Sequence, residues 1–354
     1  VIERLELTPY RLPLNRPWQS ARGLMGERAG WLVCAHSGGL RGYGDCAPLA
    51  AAGTETPQRA LAALEVWRRA TTGQSLGRAV ALVSADRSPA PAARFAVESA
   101  LLDLAARFAG TPLRRWLDPR AADRVRVNAA LGALAGVSPE LLHASCAAGF
   151  GVLKVKVGLG DPGEELDALA GLARQLPRGA VLRLDANGAW SLEEALRVVG
   201  GLNLLPVESL EEPLRDPRPA SLRRLQSIAR FPIALDETLH GPGGNIASDG
   251  GAVRRVVLKP AVLGGLCRTL RFARMARARG VQVVVTSLVE TAAGIWPTLQ
   301  LAAALPSTLA HGLATSGWLD RDLGAPPLVN GGCIVLPGRP GSGFCPKGSD
   351  GGRP

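Results

Sequence analysis

Between residues 125 and 287 the chain repeats one plan: a short β-rich run, a polar stop, then a helical stretch. The runs are "VRVNAAL", "VLKVKVG", "VLRLDAN", "PVESLEEP", "PIALDE", "RRVVLKP" and "VQVVVTS". Segments such as "SLEEALRVVGGL", "ASLRRLQSIAR" and "CRTLRFARMARARG" separate them and carry apolar residues at helical spacing. Strands alternating with helices build βαβ units and a parallel sheet. A further strand at "HGLAT" brings the count to eight. The expected fold is α/β, a modified (β/α)8 TIM-type barrel, with its reactive groups at the C-terminal ends of the strands.

The first 120 residues follow a different rhythm. "GWLVCAHSGGLRGYGDCAPL" reads as strand, turn, strand, and two helical stretches that end in glycine follow. An N-terminal α+β capping domain is expected over 1–120, the barrel over 121–322, and over 323–354 a segment returning to the cap before a Gly/Pro-rich tail. "QSARGLMGERAG" is expected to form a capping loop over the barrel mouth, with Arg22, Met25 and Arg28 as candidate substrate contacts.

The polar stops recur at one βα period. Asp185 is followed by Glu211 after 26 residues, Asp236 after another 25 and Lys259 after another 23. Residues at this period sit at similar heights on successive strands. Side chains alternate along a strand, so Lys154 and Lys156 share the face turned toward the acids. Three carboxylates in one dry pocket repel one another, and a divalent cation relieves this. Hard oxygen ligands suit Mg²⁺, with Mn²⁺ as a substitute. Such a cation can hold a substrate carboxylate beside lysines able to move a proton, which suits abstraction of a proton alpha to a carboxylate. Crowding of the two lysines favours a neutral amine.

Composition sharpens this point. The chain has four lysines against 37 arginines. Arginine stays protonated in proteins whereas lysine can give up its proton. Lys154, Lys156 and Lys259 all fall in strand-like runs, so their amine chemistry is expected to matter.

The net charge of +11 permits anionic partners. Two Tyr and six Phe leave no aromatic-interleaved basic stripe, so no nucleic-acid partner is expected. The six cysteines form no C-x-x-C pair. No apolar run reaches membrane-spanning length and the N-terminal stretch lacks a signal-peptide core, so a cytoplasmic protein without a membrane partner is expected. Oligomeric state is not legible.

Taken together, "LKVKVG", "LRLDANGAW", "LEEPL", "LDET" and "LKP…LGG" resemble the enolase superfamily, whose use of a Lys base with Mg²⁺ is well established. The K-x-K and the later lysine resemble its muconate lactonizing enzyme subgroup, and within that the o-succinylbenzoate synthases. The resemblance implies dehydration of 2-succinyl-6-hydroxy-2,4-cyclohexadiene-1-carboxylate, a small carboxylate substrate, in menaquinone biosynthesis. It implies Lys156 as the base, Lys259 as the opposing cation, Lys154 as tuner and substrate contact, and Asp185, Glu211 (rather than Glu212) and Asp236 as Mg²⁺ ligands. Asn187 and Glu237 are expected to orient those ligands, and Arg183 is a candidate support on the Asp185 face. Thr286, Ser287, Gly264 and Gly265 are candidates to hold the succinyl tail. N-succinylamino-acid racemases share these residues and remain an alternative. Dipeptide epimerases carry an Asp-x-Asp pair where this chain has "GLAT". A catalytically dead basic barrel is the remote alternative.

Overall fold

The computed structural model describes residues 1–20, 23–240 and 252–348, with the backbone alone at 16–20, 23, 24 and 240. Strands β1 (Arg4–Ser20), β2 (Gly23–Ser37) and β3 (Leu40–Cys46) form an antiparallel sheet in that order. β1 and β2 remain paired out to Ser20 and Gly23. The segment expected to be a capping loop is therefore a continuous ribbon on both sides of its tip. Its pairing, broken by a register shift between Pro13 and Trp18, satisfies backbone groups that an open loop would leave to water.

Helices α1 (Pro57–Thr71), α2 (Leu76–Ala85) and α3 (Pro91–Phe108) cover one face of this sheet. Their shared core holds Leu5, Val33, Ala35, Leu64, Val83 and Leu101. β3 lies directly on α3. A Cβ at Gly42 or Gly44 would stand 2.1 and 2.0 Å from the carbonyl oxygens of Ala100 and Ala96. Only a residue without a side chain permits that approach.

The short helix α4 (Leu113–Leu117) leads to β4 (Arg124–Arg126) and β5 (Ala129–Ala133). The expected single strand "VRVNAAL" is thus two. Asn128 sits at the break, its amide donating to the Ala129 carbonyl and its Oδ1 accepting from Arg183. From β5 the parallel sheet continues through β6 (Val152–Lys156), β7 (Val181–Asp185), β8 (Val207–Glu211), β9 (Ile233–Leu235), β10 (Arg255–Leu258) and β11 (Gln282–Val285), each bonded to the next.

Helices pack between these strands: α5 (Pro139–Ala147), α6 (Pro162–Ala173), α7 (Leu192–Leu202), α8 (Pro219–Ile228), α9 (Pro260–Leu263) and α10 (Leu266–Ala278), with α11 (Ala292–Ala303) after β11. A capping box at Ser191 and Glu194 starts α7 and satisfies two otherwise orphaned amides.

The expected eighth strand is reduced to His311 and Gly312. His311 bridges to Val127 and Gly312 to Thr286, which joins the two edges of the seven-stranded sheet. The His311 Nδ1 accepts the Val285 amide at 2.9 Å. The chain then forms β12 (Val329–Asn330) and β13 (Cys333–Val335), an antiparallel sheet completed by β4. It returns to the cap, where Phe344 meets Tyr43 edge-on with ring centroids 5.3 Å apart. No helix among the described residues is long and apolar enough to cross a membrane.

Candidate active site

Strand register assembles the site. Lys156 pairs with Asp185, and Asp185 with Glu211, so β6, β7 and β8 present these side chains at one height. Lys154 lies two residues earlier on the same face. Its Nζ stands 2.8 Å from Asp185 Oδ2 and 2.8 Å from Glu211 Oε2. Burial opposes its charge, but the two carboxylates outweigh burial and hold its pKa above the usual lysine range. Lys156 differs. Its ammonium donates to Asn187 Oδ1 at 3.0 Å and has no carboxylate within ion-pair distance among the described residues. Burial, aided by the Lys154 charge and opposed by Asp185, brings its pKa below the usual range. The two crowded lysines therefore diverge instead of both moving down.

Asp236 follows β9 and Lys259 follows β10. The Lys259 ammonium binds Asp236 Oδ2, with Glu237 Oε1 at 3.8 Å. Burial again opposes the charge, and Asp236, Glu237 and Glu211 more than offset it. β6 and β10 are four places apart in the sheet, so Lys156 and Lys259 approach from opposite walls.

Asp185, Glu211 and Asp236 are each about 2–3% exposed. Glu211 Oε1, Asp236 Oδ1 and Glu237 Oε2 are buried without a hydrogen-bond partner. Burial pushes Glu211 and Asp236 above the ordinary carboxylate range, and the neighbouring Asp185 adds to this at Glu211. Orphaned carboxylate oxygens at the ends of two adjacent strands, β8 and β9, with Asp185 beside them on β7, fit a hard divalent cation such as Mg²⁺. The oxygens do not gather within 4.8 Å of one another as a set. Lys154 and Lys259 hold them instead.

The other expected residues are spread over several places. Asn187 lies against Lys156, and its amide donates to Asp185 Oδ1 at 3.2 Å. Thr286 and Ser287 are half-buried at the end of β11 and are tied to the closing segment: the Thr286 hydroxyl donates to the Gly312 carbonyl and Ser287 meets the Thr315 hydroxyl at 2.8 Å. Gly264 and Gly265 instead face the cap. Cβ atoms there would run into the Arg94 guanidinium and the Glu98 carboxylate. Arg183 lies one layer below the acids, donating to Glu208, Asn128 and the Ala310 carbonyl. Arg28 is buried and spends its guanidinium on the carbonyls of Ala47, Pro48 and Val289. Arg22 lies outside the described residues.

Two groups escaped the sequence reading. Glu212, at φ 43°, turns away from Glu211 and accepts hydrogen bonds from the Asp236 and Thr238 amides and the Thr238 hydroxyl. It braces the loop that carries Asp236. The doubled acid in "LEEPL" was its only signal. Glu208 pairs with both Arg183 and Arg255 beneath the site. Asn187, Glu212 and Val289 are the non-glycine residues with positive φ among those described. All three follow barrel strands at the mouth, where stored backbone strain often accompanies function.

The family described as "Enolase C-terminal domain-like" matches residues 139–349. The chain belongs to the enolase superfamily. An o-succinylbenzoate synthase of Desulfotalea psychrophila is 32% identical over 69% of this chain and 67% of its own length. An L-Lys-D/L-Arg epimerase of Methylococcus capsulatus is 31% identical over 96% and 95%. The muconate lactonizing enzyme of Pseudomonas fluorescens, solved with muconolactone, superposes with a TM-score of 0.86 at 25% identity, covering 98% of this chain and 96% of that one. This enolase superfamily enzyme therefore shares its fold with the muconate lactonizing enzyme and its sequence with both synthases and epimerases.

Proposed function

We propose that the chain is an o-succinylbenzoate synthase, a Mg²⁺-dependent dehydratase acting in the cytoplasm on a small cyclic carboxylate during menaquinone biosynthesis. The observation that carries this reading is the division among the three lysines. Carboxylates hold Lys154 and Lys259 charged, while Lys156 has its pKa lowered and, among the described residues, donates to a neutral amide.

Asp185, Glu211 and Asp236 would hold Mg²⁺, which would supply positive charge for the substrate carboxylate. Neutral Lys156 takes the alpha proton. The Lys259 ammonium, on the opposite wall, stabilises the enediolate by its charge. Lys156, now an ammonium, returns the proton to the departing hydroxide, and water leaves. Lys154 stays charged and contacts the substrate carboxylate, while Thr286 and Ser287 line the succinyl end. Gly312, Leu313, Ala314 and Thr315, on the closing segment, offer no carboxylate to a substrate ammonium. This disfavours dipeptide epimerisation.

A second reading, racemisation of N-succinylamino acids, is favoured by the opposed positions of Lys156 and Lys259, since two-base exchange uses both. Side-by-side assays of dehydration, N-succinylamino-acid racemisation and dipeptide epimerisation separate these readings. Dehydration is expected to be fastest, to stop after exhaustive EDTA treatment and to recover with Mg²⁺ or Mn²⁺. Faster epimerisation, or EDTA-resistant dehydration, overturns the proposal.

A further inference from the structure

The cap sheet has a second cluster of ligating groups on its face away from α1–α3. Glu6 on β1 pairs in register with Cys34 on β2, and Arg4 pairs with His36. The two-residue period places Cys34 and His36 on one face of β2, opposite the core residues Val33 and Ala35. Glu6, Cys34 and His36 each offer one ligand atom, and the three atoms lie within 4.8 Å of one another. His36 Nε2 stands 3.0 Å from Glu6 Oε2 and 3.3 Å from Cys34 Sγ.

Tetrahedral zinc with about 2.0 Å bonds to nitrogen and oxygen and about 2.3 Å to sulfur has ligand–ligand edges of about 3.3–3.6 Å. The observed separations are close to these edges, so small side-chain movements suffice. Cys34 and His36 are buried, whereas Glu6 is about half exposed. The solvent side can therefore admit a fourth ligand.

Neighbouring groups support the same arrangement. Arg4 Nε donates to Glu6 Oε1 at 2.7 Å, which fixes the carboxylate and leaves Oε2 toward the cluster. Tyr43, paired with Cys34 across β2 and β3, is itself packed by Phe344. Such outer partners orient ligands in known metal centres.

We propose that Glu6, Cys34 and His36 form a binding site on the cap for a borderline transition metal, Zn²⁺ above all. A sulfur, an imidazole nitrogen and one carboxylate select such a cation, whereas the all-oxygen set in the barrel selects Mg²⁺. Burial favours the thiol over the thiolate, and a bound dication reverses that preference. Thiolate and carboxylate together neutralise its charge, and the cation links β1 to β2.

The test uses the full chain under reducing conditions with Mg²⁺ in saturating excess. Co²⁺ serves as the optical probe and Zn²⁺ as the competitor. One equivalent of Co²⁺ is expected to give a thiolate-to-cobalt charge-transfer band that Zn²⁺ abolishes. The band should persist in Asp185→Asn and vanish in Cys34→Ala. Glu6→Gln and His36→Gln should weaken Co²⁺ binding by about tenfold or more, as loss of a ligand or its orientation does. A wild-type protein without the band at millimolar Co²⁺, or a band unchanged in Cys34→Ala, overturns the site. If Cys34→Ala does not fold, Glu6→Gln decides alone, because this half-exposed change leaves the core intact. Unchanged Co²⁺ affinity there overturns the proposal.

Discussion

Lys156 differs from the other barrel lysines by what it lacks. It has a neutral amide as partner where Lys154 and Lys259 have carboxylates. Arginine keeps the charge but not the capacity to lose a proton. Lys156→Arg should therefore lower kcat by about 10²–10⁴-fold, the usual worth of general base catalysis. Steady-state dehydration kinetics check this, and near-wild-type turnover would show that another group is the base. Asn187→Asp probes the same amine by pH. Asparagine and aspartate both tolerate the φ of 45° at this position. A carboxylate there stabilises the Lys156 ammonium and raises its pKa. The neutral base then forms only at higher pH, so the acid limb of kcat/KM should move up by about one pH unit or more. A limb that stays in place would assign it to a different group.

Elements were legible where one face or one period dominated, and less so where distant segments decided their surroundings. "VLRLD" and "VVLKP" announced parallel strands because each is a short β-rich run closed by a polar stop at the βα period. "VRVNAAL" looked equally β-rich. Asn128 splits it, since β13, some 200 residues later, claims Arg124–Arg126 for a separate antiparallel sheet. The period placed Asp185 and Glu211 in register, yet could not reveal that Glu208 engages Arg183 below the site. Gly264 and Gly265 drew attention as backbone donors for a substrate. Their lack of side chains instead makes room for Arg94 and Glu98.

Those two residues belong to α3, which reads as amphipathic but is buried nearly all round. It carries three charged residues into that burial. Arg94 donates to the Gly264 carbonyl at 2.6 Å, Glu98 accepts the Cys267 amide, and Asp103 accepts the amides of Tyr43 and Ser342. Each is satisfied by a segment remote in sequence, so no local pattern could foretell it. The seam also depends on close backbone approach. Gly44→Ala should destabilise by about 1–3 kcal/mol, the usual cost of overpacking. Gly77→Ala, with nothing within 4 Å of the added methyl, should not destabilise. Urea unfolding of both variants checks the contrast, and equal midpoints would remove α3–β3 contact as the reason for glycine.

At the scale of the molecule, barrel closure rests on a polar interior. His311 joins the first and last strands of the sheet, accepts the Val285 amide and lies near Arg183. Burial, aided by the Arg183 charge, pulls its pKa down to about 3. The unfolded imidazole protonates near its ordinary pKa of about 6.5. Between these values the unfolded chain binds the extra proton, so this group's stability contribution is present above about pH 6.5 and declines as pH falls. Over the two pH units from 6.5 to 4.5 the decline amounts to about 2–3 kcal/mol. Glu212 and Glu290, each raised to about 7 by burial, run in the opposite sense and mask the effect in wild type alone. His311→Gln isolates it, because both carboxyls are common to the two proteins. The stability advantage of wild type over this variant should shrink by that amount between pH 6.5 and 4.5 in urea titrations. An advantage that stays constant would mean that the imidazole takes up its proton without opening the barrel.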